Sequence, residues 1–178
     1  AEVLYPAPLL GKDVCQTVLQ SGEIMLEYAL GEESSYLWVL SPDDLSMVEL
    51  PGRAEIEKEV RQLLPLLRDY NLTGAEAAWF VDPARQVHDL LLAPVADDIA
   101  KADRLIIAAD GILHYLPFES LLTEDTEAHT FAELPWLVRE KIITYTPSAS
   151  ILGQIRLTYR PSLAQGSWLL VGDPVLVS

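Results

Sequence analysis

The feature that most limits the fold of this 178-residue chain is a short, uninterrupted apolar run in its second half. Five apolar residues, Leu105–Ala109, follow Arg104 and end at the pair Asp110-Gly111. A run of this length, between a charge and a turn, is typical of a strand that is buried on both faces in a parallel sheet. Such a strand needs covering elements on both sides, so the run predicts a layered α/β fold.

The residues after this run have the pattern of further parallel strands. Lys141–Tyr145 is a second apolar strand, and Ser148 is placed to cap a helix that continues to about residue 155. Trp168–Val171 is a third apolar strand, which ends at a Gly-Asp-Pro turn. Strand, helix and strand over this length predict a right-handed βαβ unit.

The first half of the chain alternates apolar and polar residues instead. Residues 23–30 place Ile24, Leu26, Tyr28 and Leu30 on one face, which is the two-residue period of a half-buried strand. After a turn, Tyr36, Trp38 and Leu40 continue the alternation, and residues 45–50 form a third short strand. Three strands joined by short turns predict an antiparallel meander.

Two helices are predicted between the meander and the parallel strands. Apolar residues recur at helical spacing from Ile56 to Leu67, and we expect Pro65 to kink that helix or to end it near Leu64. A second helix is predicted over residues 82–92, with Pro83 at its first position, after a loop over residues 69–75. We therefore divide the chain into residues 1–103, with the meander and the helices, and residues 104–178, with the parallel strands.

Composition excludes several classes of partner. The formal net charge is −15, and a phosphate backbone or an anionic membrane surface needs clustered Lys and Arg, so neither is an expected partner. The excess of carboxylates is interpreted as a solvated face that keeps the protein soluble, rather than as an acidic docking surface. No stretch of about 18 apolar residues and no signal peptide are present, and a single cysteine suits a reducing compartment, so we expect a cytoplasmic protein.

No catalytic, cofactor-binding or metal-binding residue can be assigned from these patterns, and no cofactor or metal is expected. His88, His114 and His129 are far apart and have no spaced partner, and no glycine-rich phosphate loop follows a strand. Cys15 is the only thiol, and no neighbouring cation or histidine would lower its pKa. We interpret it as a half-buried structural cysteine.

Several polar residues lie after the predicted strands, where sites form in α/β sheets. Asp110, Glu119 and Asp173 are the candidate carboxylates, but nothing in the sequence sets two of them at a working separation. Asp-Gly and Asp-Pro are first of all turn sequences. His114, between apolar neighbours, is interpreted as a packed or capping side chain.

The run Arg104–Leu121 resembles the start of CHAT domains, which are caspase-like domains often found after tetratricopeptide repeats. It carries Asp110-Gly111 after the apolar strand and then Leu116-Pro117-Phe118-Glu119. Two later pieces keep the family's order, namely Ile142–Ser150 with its Tyr-x-Pro-Ser helix start and Leu169–Pro174 at the end of a strand. Upstream, Leu26–Leu30, Tyr36–Trp38 and Leu50–Arg53 are similar to the segment that often precedes the domain.

The resemblance implies a caspase-like three-layer α/β sheet, preceded by the meander and helices, in a cysteine endopeptidase with protein or peptide substrates and upstream tetratricopeptide repeats. In such peptidases the catalytic His lies in an apolar-His-Gly context and the Cys in a Ser-Ala-Cys context, and neither occurs in this sequence. We therefore expect an inactive fragment, and the start at Ala1 without an initiator Met and the stop at Ser178 favour the same expectation.

Two alternatives to a peptidase fragment remain open. The first is a non-catalytic CHAT-like module for protein interaction or regulation, and the second is an unrelated α/β domain that binds a small molecule. For a truncated sheet we also expect an unpaired edge after Trp168–Val171, through which a dimer would form.

Overall fold

The computed structural model describes residues 14–68, 77–127 and 130–158, which form a five-stranded sheet with helices on both faces. The strands are β1 (Glu23–Ala29), β2 (Ser34–Leu40), β3 (Leu45–Pro51), β4 (Arg104–Ala108) and β5 (Ile142–Tyr145). Their order across the sheet is β3-β2-β1-β4-β5. Strands β1, β4 and β5 are parallel, whereas β2 and β3 form the antiparallel meander with β1. The predicted α/β fold is confirmed.

Four helices accompany the sheet in the described part of the chain. They are α1 (Arg53–Arg68), α2 (Ala77–Leu91), α3 (Ala96–Ala100) and α4 (Ala149–Thr158). Shorter helical turns lie at Val14–Val18, Ala93–Val95, Gly111–Tyr115, Phe118–Ser120, Phe131–Glu133 and Leu137–Arg139. Ser148 caps α4 as predicted, because its Oγ accepts the N–H of Ile151 at 3.3 Å.

The meander and the parallel strands belong to one continuous sheet. Strand β1 pairs antiparallel with β2 on one side and parallel with β4 on the other, so that Leu26 lies opposite both Val39 and Ile107. The division that we expect between residues 103 and 104 therefore runs between two hydrogen-bonded strands. A domain boundary at that position stays a prediction.

Strand β1 is buried on both faces, which corrects the expectation of a half-buried strand. Ile24, Leu26 and Tyr28 face the main core, as predicted, where α1 and α2 cover the sheet. Met25 faces the other way, into a second cluster formed by the turn Val14–Val18, β4 and α4. The alternation of apolar and polar residues in β1 did not show this burial, because the second face is covered by residues distant in sequence.

Strand β2 has buried residues on both faces. Ser35, Leu37 and Val39 point into the main core, which the alternation of Tyr36, Trp38 and Leu40 did not indicate. On the outer face Tyr36 and Trp38 are partly exposed, whereas Leu40 is buried in the second cluster. Both faces of this strand carry large apolar residues, so alternation alone does not identify the core face. The register decides it, because Leu37 lies opposite the buried Tyr28.

Both prolines lie inside helices. Helix α1 does not end near Leu64 but continues past Pro65 to Arg68, so of the two predicted outcomes the ending is wrong and the kink stays a prediction. Helix α2 spans Ala77–Leu91, so Pro83 lies in its interior and not at its first position as predicted. A proline removes one helical hydrogen bond, and tertiary packing can outweigh that loss. The fully buried Leu63, two residues before Pro65, and Ala84, directly after Pro83, provide such packing.

Strands β4 and β5 confirm the predicted parallel pair, since Leu105 lies opposite Ile143. Residues 123–127 form neither helix nor strand. The predicted loop 69–75 and strand Trp168–Val171, together with His129 and Asp173, lie outside the described residues.

Candidate functional site

The carboxyl ends of β1, β4 and β5 lie at one edge of the sheet, which is where sites form in α/β proteins. The segment from Asp110 to Leu121 follows β4 and crosses this edge. It contains the Asp-Gly and Leu-Pro-Phe-Glu pieces of the CHAT resemblance. The hydrogen bonds of this segment therefore decide whether its carboxylates are available for chemistry.

The Asp-Gly pair joins the end of β4 to the end of β1. Oδ2 of Asp110 accepts the N–H of Leu30 at 2.8 Å. Gly111 has a φ of +55°, and a Cβ at this position would lie 3.3 Å from Cδ1 of Leu30. The left-handed backbone and the close approach both favour glycine here. Asp110 therefore spans two strand ends as a structural acceptor.

Arg53 completes the connection on the other side of Leu30. Its backbone N–H donates to the carbonyl of Gly31 at 2.8 Å, and its guanidinium donates to the carbonyl of Leu30. The first residue of α1 is thereby attached to the end of β1. The Leu-Pro-Gly-Arg segment was part of the resemblance, but nothing in the sequence indicated that Arg53 reaches back across the turn.

The Leu-Pro-Phe-Glu segment joins the end of β5 to the same edge. Phe118 is fully buried, with its ring centroid 5.7 Å from that of Tyr28 and 6.4 Å from that of Tyr145. The hydroxyl of Tyr145 accepts the N–H of Phe118 at 2.9 Å and donates to Oε2 of Glu119 at 2.6 Å. Burial raises the pKa of Tyr145, and the bond to the Glu119 carboxylate raises it further, so the phenol keeps its proton.

These bonds leave the edge without an assembled nucleophile and base in the described part of the chain. Asp110 and Glu119 both accept structural hydrogen bonds, and the hydroxyl of Ser120 donates to the carbonyl of Pro117 at 2.7 Å. His114 lies exposed on the turn Gly111–Tyr115, so it is not the packed side chain that was one of its two interpretations. A capping role for His114 stays a prediction. The arrangement stabilises the ends of three parallel strands.

Cys15 lies away from this edge, in the second apolar cluster. Its side chain is 3% exposed, and Sγ donates to the carbonyl of Asp44 at 3.4 Å. Burial raises the pKa of the thiol, and the nearby Asp44 carboxylate adds to that effect. The thiolate is the nucleophilic form, so Cys15 is a poor nucleophile at neutral pH. It is fully rather than half buried.

His88 is separated from Cys15 by the sheet itself. It lies on α2, which packs on the main core, whereas Cys15 packs on the opposite face. Its Nδ1 is 3.1 Å from both Nη1 of Arg85 and Oδ1 of Asp89. Burial lowers the pKa of His88, although the Asp89 carboxylate partly opposes the shift. No Cys–His pair exists among the described residues.

A buried ion pair at the opposite edge of the sheet was not found by sequence reasoning. Glu23 begins β1 and contacts two guanidinium groups, with Nη2 of Arg156 at 3.0 Å from Oε1 and Nε of Arg104 at 3.5 Å. Burial alone would raise the pKa of Glu23, but the hydrogen bonds from Arg156 and Gln20 and the nearby positive charges outweigh it and lower the pKa. The pair holds α4 on the sheet. Its members are 133 residues apart, so no local pattern indicates it.

A polar cavity of about 560 Å³ also lies at this amino-terminal edge, with Asp43, Asp98 and Lys101 in its lining. No histidine or cysteine lines it, and no group of three or more His, Cys, Asp or Glu side chains in residues 14–68, 77–127 and 130–158 is placed to hold a metal ion. Across the same ranges, no helix is both long enough and apolar enough to cross a bilayer.

Comparison with known families agrees with the geometry of the strand ends. The family model described as "CHAT domain" matches residues 81–177, which is more than half of the chain. This chain belongs to the CHAT domain family. The match begins at Val81 within α2 and includes β4, the Asp-Gly and Leu-Pro-Phe-Glu segments, β5 and α4. No curated protein matches this sequence.

Membership of the CHAT family makes the chain a member of a caspase-like family with the mixed α/β sheet described above. The residues that carry the family resemblance are explained by their contacts, since Asp110, Gly111, Phe118 and Tyr145 all join strand ends. In this part of the CHAT domain, the Asp-Gly and Leu-Pro-Phe-Glu segments connect the ends of neighbouring strands.

Proposed function

We propose that this chain forms the amino-terminal part of the catalytic sheet of a CHAT-type, caspase-like cysteine endopeptidase and is itself inactive. The observation that carries the proposal is the hydrogen bond from Leu30 to Asp110 together with those that join Phe118, Tyr145 and Glu119. They hold the carboxyl edge of a family-typical sheet in place while contributing no nucleophile to it. The catalytic His and Cys would come from residues outside this sequence.

The chemistry of such an enzyme explains why a rigid edge matters. A thiolate attacks a peptide carbonyl, a histidine accepts the thiol proton, and backbone N–H groups stabilise the oxyanion. Each of these groups must be held within a few tenths of an ångström of its working position. Hydrogen bonds between the ends of β1, β4 and β5 would limit movement of the edge on which those groups are built.

The test is a cleavage assay on the purified chain with a panel of fluorogenic peptides that vary in the side chain before the scissile bond. We expect no release of fluorophore above buffer, and Cys15→Ser is the matched control. Cleavage that disappears in Cys15→Ser would refute the proposal, because it would make the buried Cys15 the nucleophile. Cleavage that persists in the variant would point to a contaminating protease and calls for repurification.

The gene provides a second test. We expect it to encode an apolar-His-Gly segment and a Ser-Ala-Cys segment within about 100 residues after this sequence, a distance set by ordinary domain size. Expression of the longer product should then give cleavage that depends on that cysteine. A gene without these segments would exclude the peptidase.

The alternative function is a non-catalytic CHAT module that binds or regulates another protein. It is favoured by one observation, which is that Asp110 and Glu119 both accept structural hydrogen bonds and neither is paired with a described histidine. A longer gene product that lacks the His-Gly and Ser-Ala-Cys segments, and that still binds a partner, would support this alternative over the first proposal.

A further inference from the structure

The outer face of the meander is apolar and only partly covered by the described residues. On this side of the sheet, the turn Val14–Val18 and α4 pack over Met25 and Ile106 in β1 and β4. Beyond them, the same face continues through Trp38 of β2 to Met47 of β3, which lie directly opposite each other. Met47 is 54% exposed. Leu45, two residues earlier on the same edge strand, is 44% exposed.

A cavity separates the covered half of this face from the exposed half. Its volume is about 400 Å³, and its walls are Trp38, Leu40 and Leu45 on one side and the first residues of α4 on the other. A cavity of this size has room for one or two large side chains. Pockets that receive a single anchoring side chain are typical of the centres of protein interfaces.

The meander itself carries an excess of negative charge. Between Ser21 and Gly52 the sequence contains seven carboxylates and no Lys or Arg, and six of the seven remain besides Glu23, which pairs with Arg156 and Arg104. One of them, Glu27, lies directly opposite Trp38 and lines the cavity. Burial raises the pKa of Glu27, partly offset by a hydrogen bond from the N–H of Ala149, and no described Lys or Arg forms an ion pair with it.

We propose that the outer face of β2 and β3 is a docking surface for a basic amphipathic segment of another protein. A large apolar side chain of that segment would enter the cavity beside Trp38, and a Lys or Arg would lie next to Glu27. The apolar strip favours burial, and the carboxylates around it select a positive partner. A second copy of this chain is disfavoured as the occupant, because its corresponding surface is equally acidic.

This proposal is independent of peptidase activity and assigns part of the acidic excess to recognition, whereas composition alone assigned it to solubility. No residue of the segment Asp110–Leu121 lines the cavity, although Tyr28 and Ala29 at the carboxyl end of β1 do. Met47 lies in β3, which is at the opposite end of the strand order from β4 and β5. A substitution at Met47 therefore tests this surface without removing a hydrogen bond of the carboxyl edge.

The two methionines of the chain provide a residue-resolved test on the unmodified protein. Met47 is exposed and Met25 is 0% exposed, so hydrogen peroxide should oxidise Met47 rapidly and Met25 slowly. The probe is a synthetic 14-residue helical peptide of Leu and Lys, with a peptide in which Glu replaces Lys as its control. At a concentration of ten times its Kd, the basic peptide should slow oxidation of Met47 about tenfold.

Three outcomes of the oxidation experiment would overturn the proposal. The first is equally slow oxidation of Met47 and Met25 in the free protein, which would mean that the surface is already covered. The second is binding of the basic peptide without protection of Met47, which would indicate adhesion elsewhere on an acidic protein. The third is slow oxidation of Met47 without peptide that becomes faster when the protein is diluted, which would mean that a second copy of the chain covers the surface.

Matched variants distinguish the surface from general hydrophobicity. Met47→Ser should weaken binding of the basic peptide about tenfold, whereas Val138→Ser should leave it unchanged, since Val138 is equally exposed at 53% but lies in a turn outside this face. Equal effects of the two variants would overturn the proposal. Glu27→Gln should weaken binding of the Lys peptide, because it removes the charge that a Lys would pair with. It should not weaken binding of a control peptide in which norleucine replaces the Lys closest to the apolar side chain that enters the cavity.

Discussion

The hydroxyl of Tyr145 joins two hydrogen bonds at the carboxyl edge, and its removal tests whether the CHAT motif stabilises the sheet. Tyr145→Phe keeps the ring next to Phe118 and removes only the oxygen. The N–H of Phe118 then loses its acceptor, and the carboxylate of Glu119 loses its donor. The two losses have different sizes, because the first bond is partly buried and the second is exposed.

The magnitude follows from these two bonds. A neutral hydrogen bond contributes about 0.5–1.5 kcal/mol net, and a bond to a charged group contributes about 1.5–3 kcal/mol when shielded from water. The bond to Glu119 is exposed, so solvent screening reduces its part to about 1 kcal/mol or less. We expect Tyr145→Phe to lower the free energy of unfolding by about 1–2 kcal/mol. For a chain of this length, the midpoint of thermal unfolding falls by about 2–8 °C.

The assay is urea unfolding of the wild type, the two single variants Tyr145→Phe and Glu119→Ala, and the double variant. The cycle should give a coupling energy of about 0.5–1 kcal/mol between the two residues. Tyr115→Phe is the matched control, because Tyr115 is 67% exposed on the adjacent turn, and it should change stability by less than about 0.5 kcal/mol.

Two results would refute the reasoning. A loss in Tyr145→Phe no larger than that in Tyr115→Phe would show that the phenol does not stabilise the edge. A coupling energy near zero would show that Glu119 and Tyr145 act separately, whatever the size of the single losses.

Three further predictions concern the ion pair, the Asp-Gly turn and the cysteine. Arg156→Met should lower the free energy of unfolding by about 2–4 kcal/mol, since it leaves a buried carboxylate with fewer partners. Because the pKa of Glu23 is lowered in the folded state, this carboxylate stabilises the protein above its ordinary pKa, and that contribution is lost as the pH falls through the folded pKa. Glu23→Gln should therefore flatten the loss of stability between about pH 5 and pH 2, and an unchanged acid profile would contradict this. Gly111→Ala should lower the free energy of unfolding by about 1–2 kcal/mol, and Gly111→Asn should lower it less, because asparagine tolerates a positive φ. Equal losses in the two variants would show that the contact with Leu30, and not the backbone conformation, is what favours glycine. Alkylation of Cys15 by iodoacetamide should be slow at pH 7 and accelerate in urea, and rapid labelling of the native protein would contradict its burial.

Local patterns predicted most of the elements because strands and helices have their own periods. The alternation in residues 23–30 identifies β1, and the apolar run after Arg104 identifies β4 as a buried parallel strand, which the pairing with β1 and β5 confirms. Ser148 identifies the start of α4, because a capping side chain acts within three residues of its position.

The errors share one physical cause, which is that tertiary packing overrides a local preference. Helix α2 contains Pro83 in its interior and not at its first position, because its buried face supports the turn that the proline weakens. The core face of β2 depends on which residues lie opposite Tyr28, and both faces of that strand are apolar enough to be buried. Neither outcome is determined within the segment itself.

The candidate site shows the same limit. The Asp-Gly and Leu-Pro-Phe-Glu segments were visible as motifs, and their resemblance to the CHAT family is confirmed. Their roles were not visible, because the partners Leu30 and Tyr145 are 80 residues from Asp110 and 27 residues from Phe118. A sequence motif shows which residues matter, but not which atoms they contact.

The order of the residues is enough to establish the alternating and continuous apolar patterns, the turns and caps between them, and the family. It also shows that these 178 residues contain no His-Gly and no Ser-Ala-Cys segment. Packing in three dimensions adds that the meander and the parallel strands share one sheet and that Glu23 pairs with Arg156. It also leaves an apolar strip with an acidic rim on the outer face of β2 and β3, uncovered by the described residues. The reason is that periodicity and capping act over a few residues. Strand order, buried pairs and uncovered surface depend on packing between segments that the chain brings together from far apart.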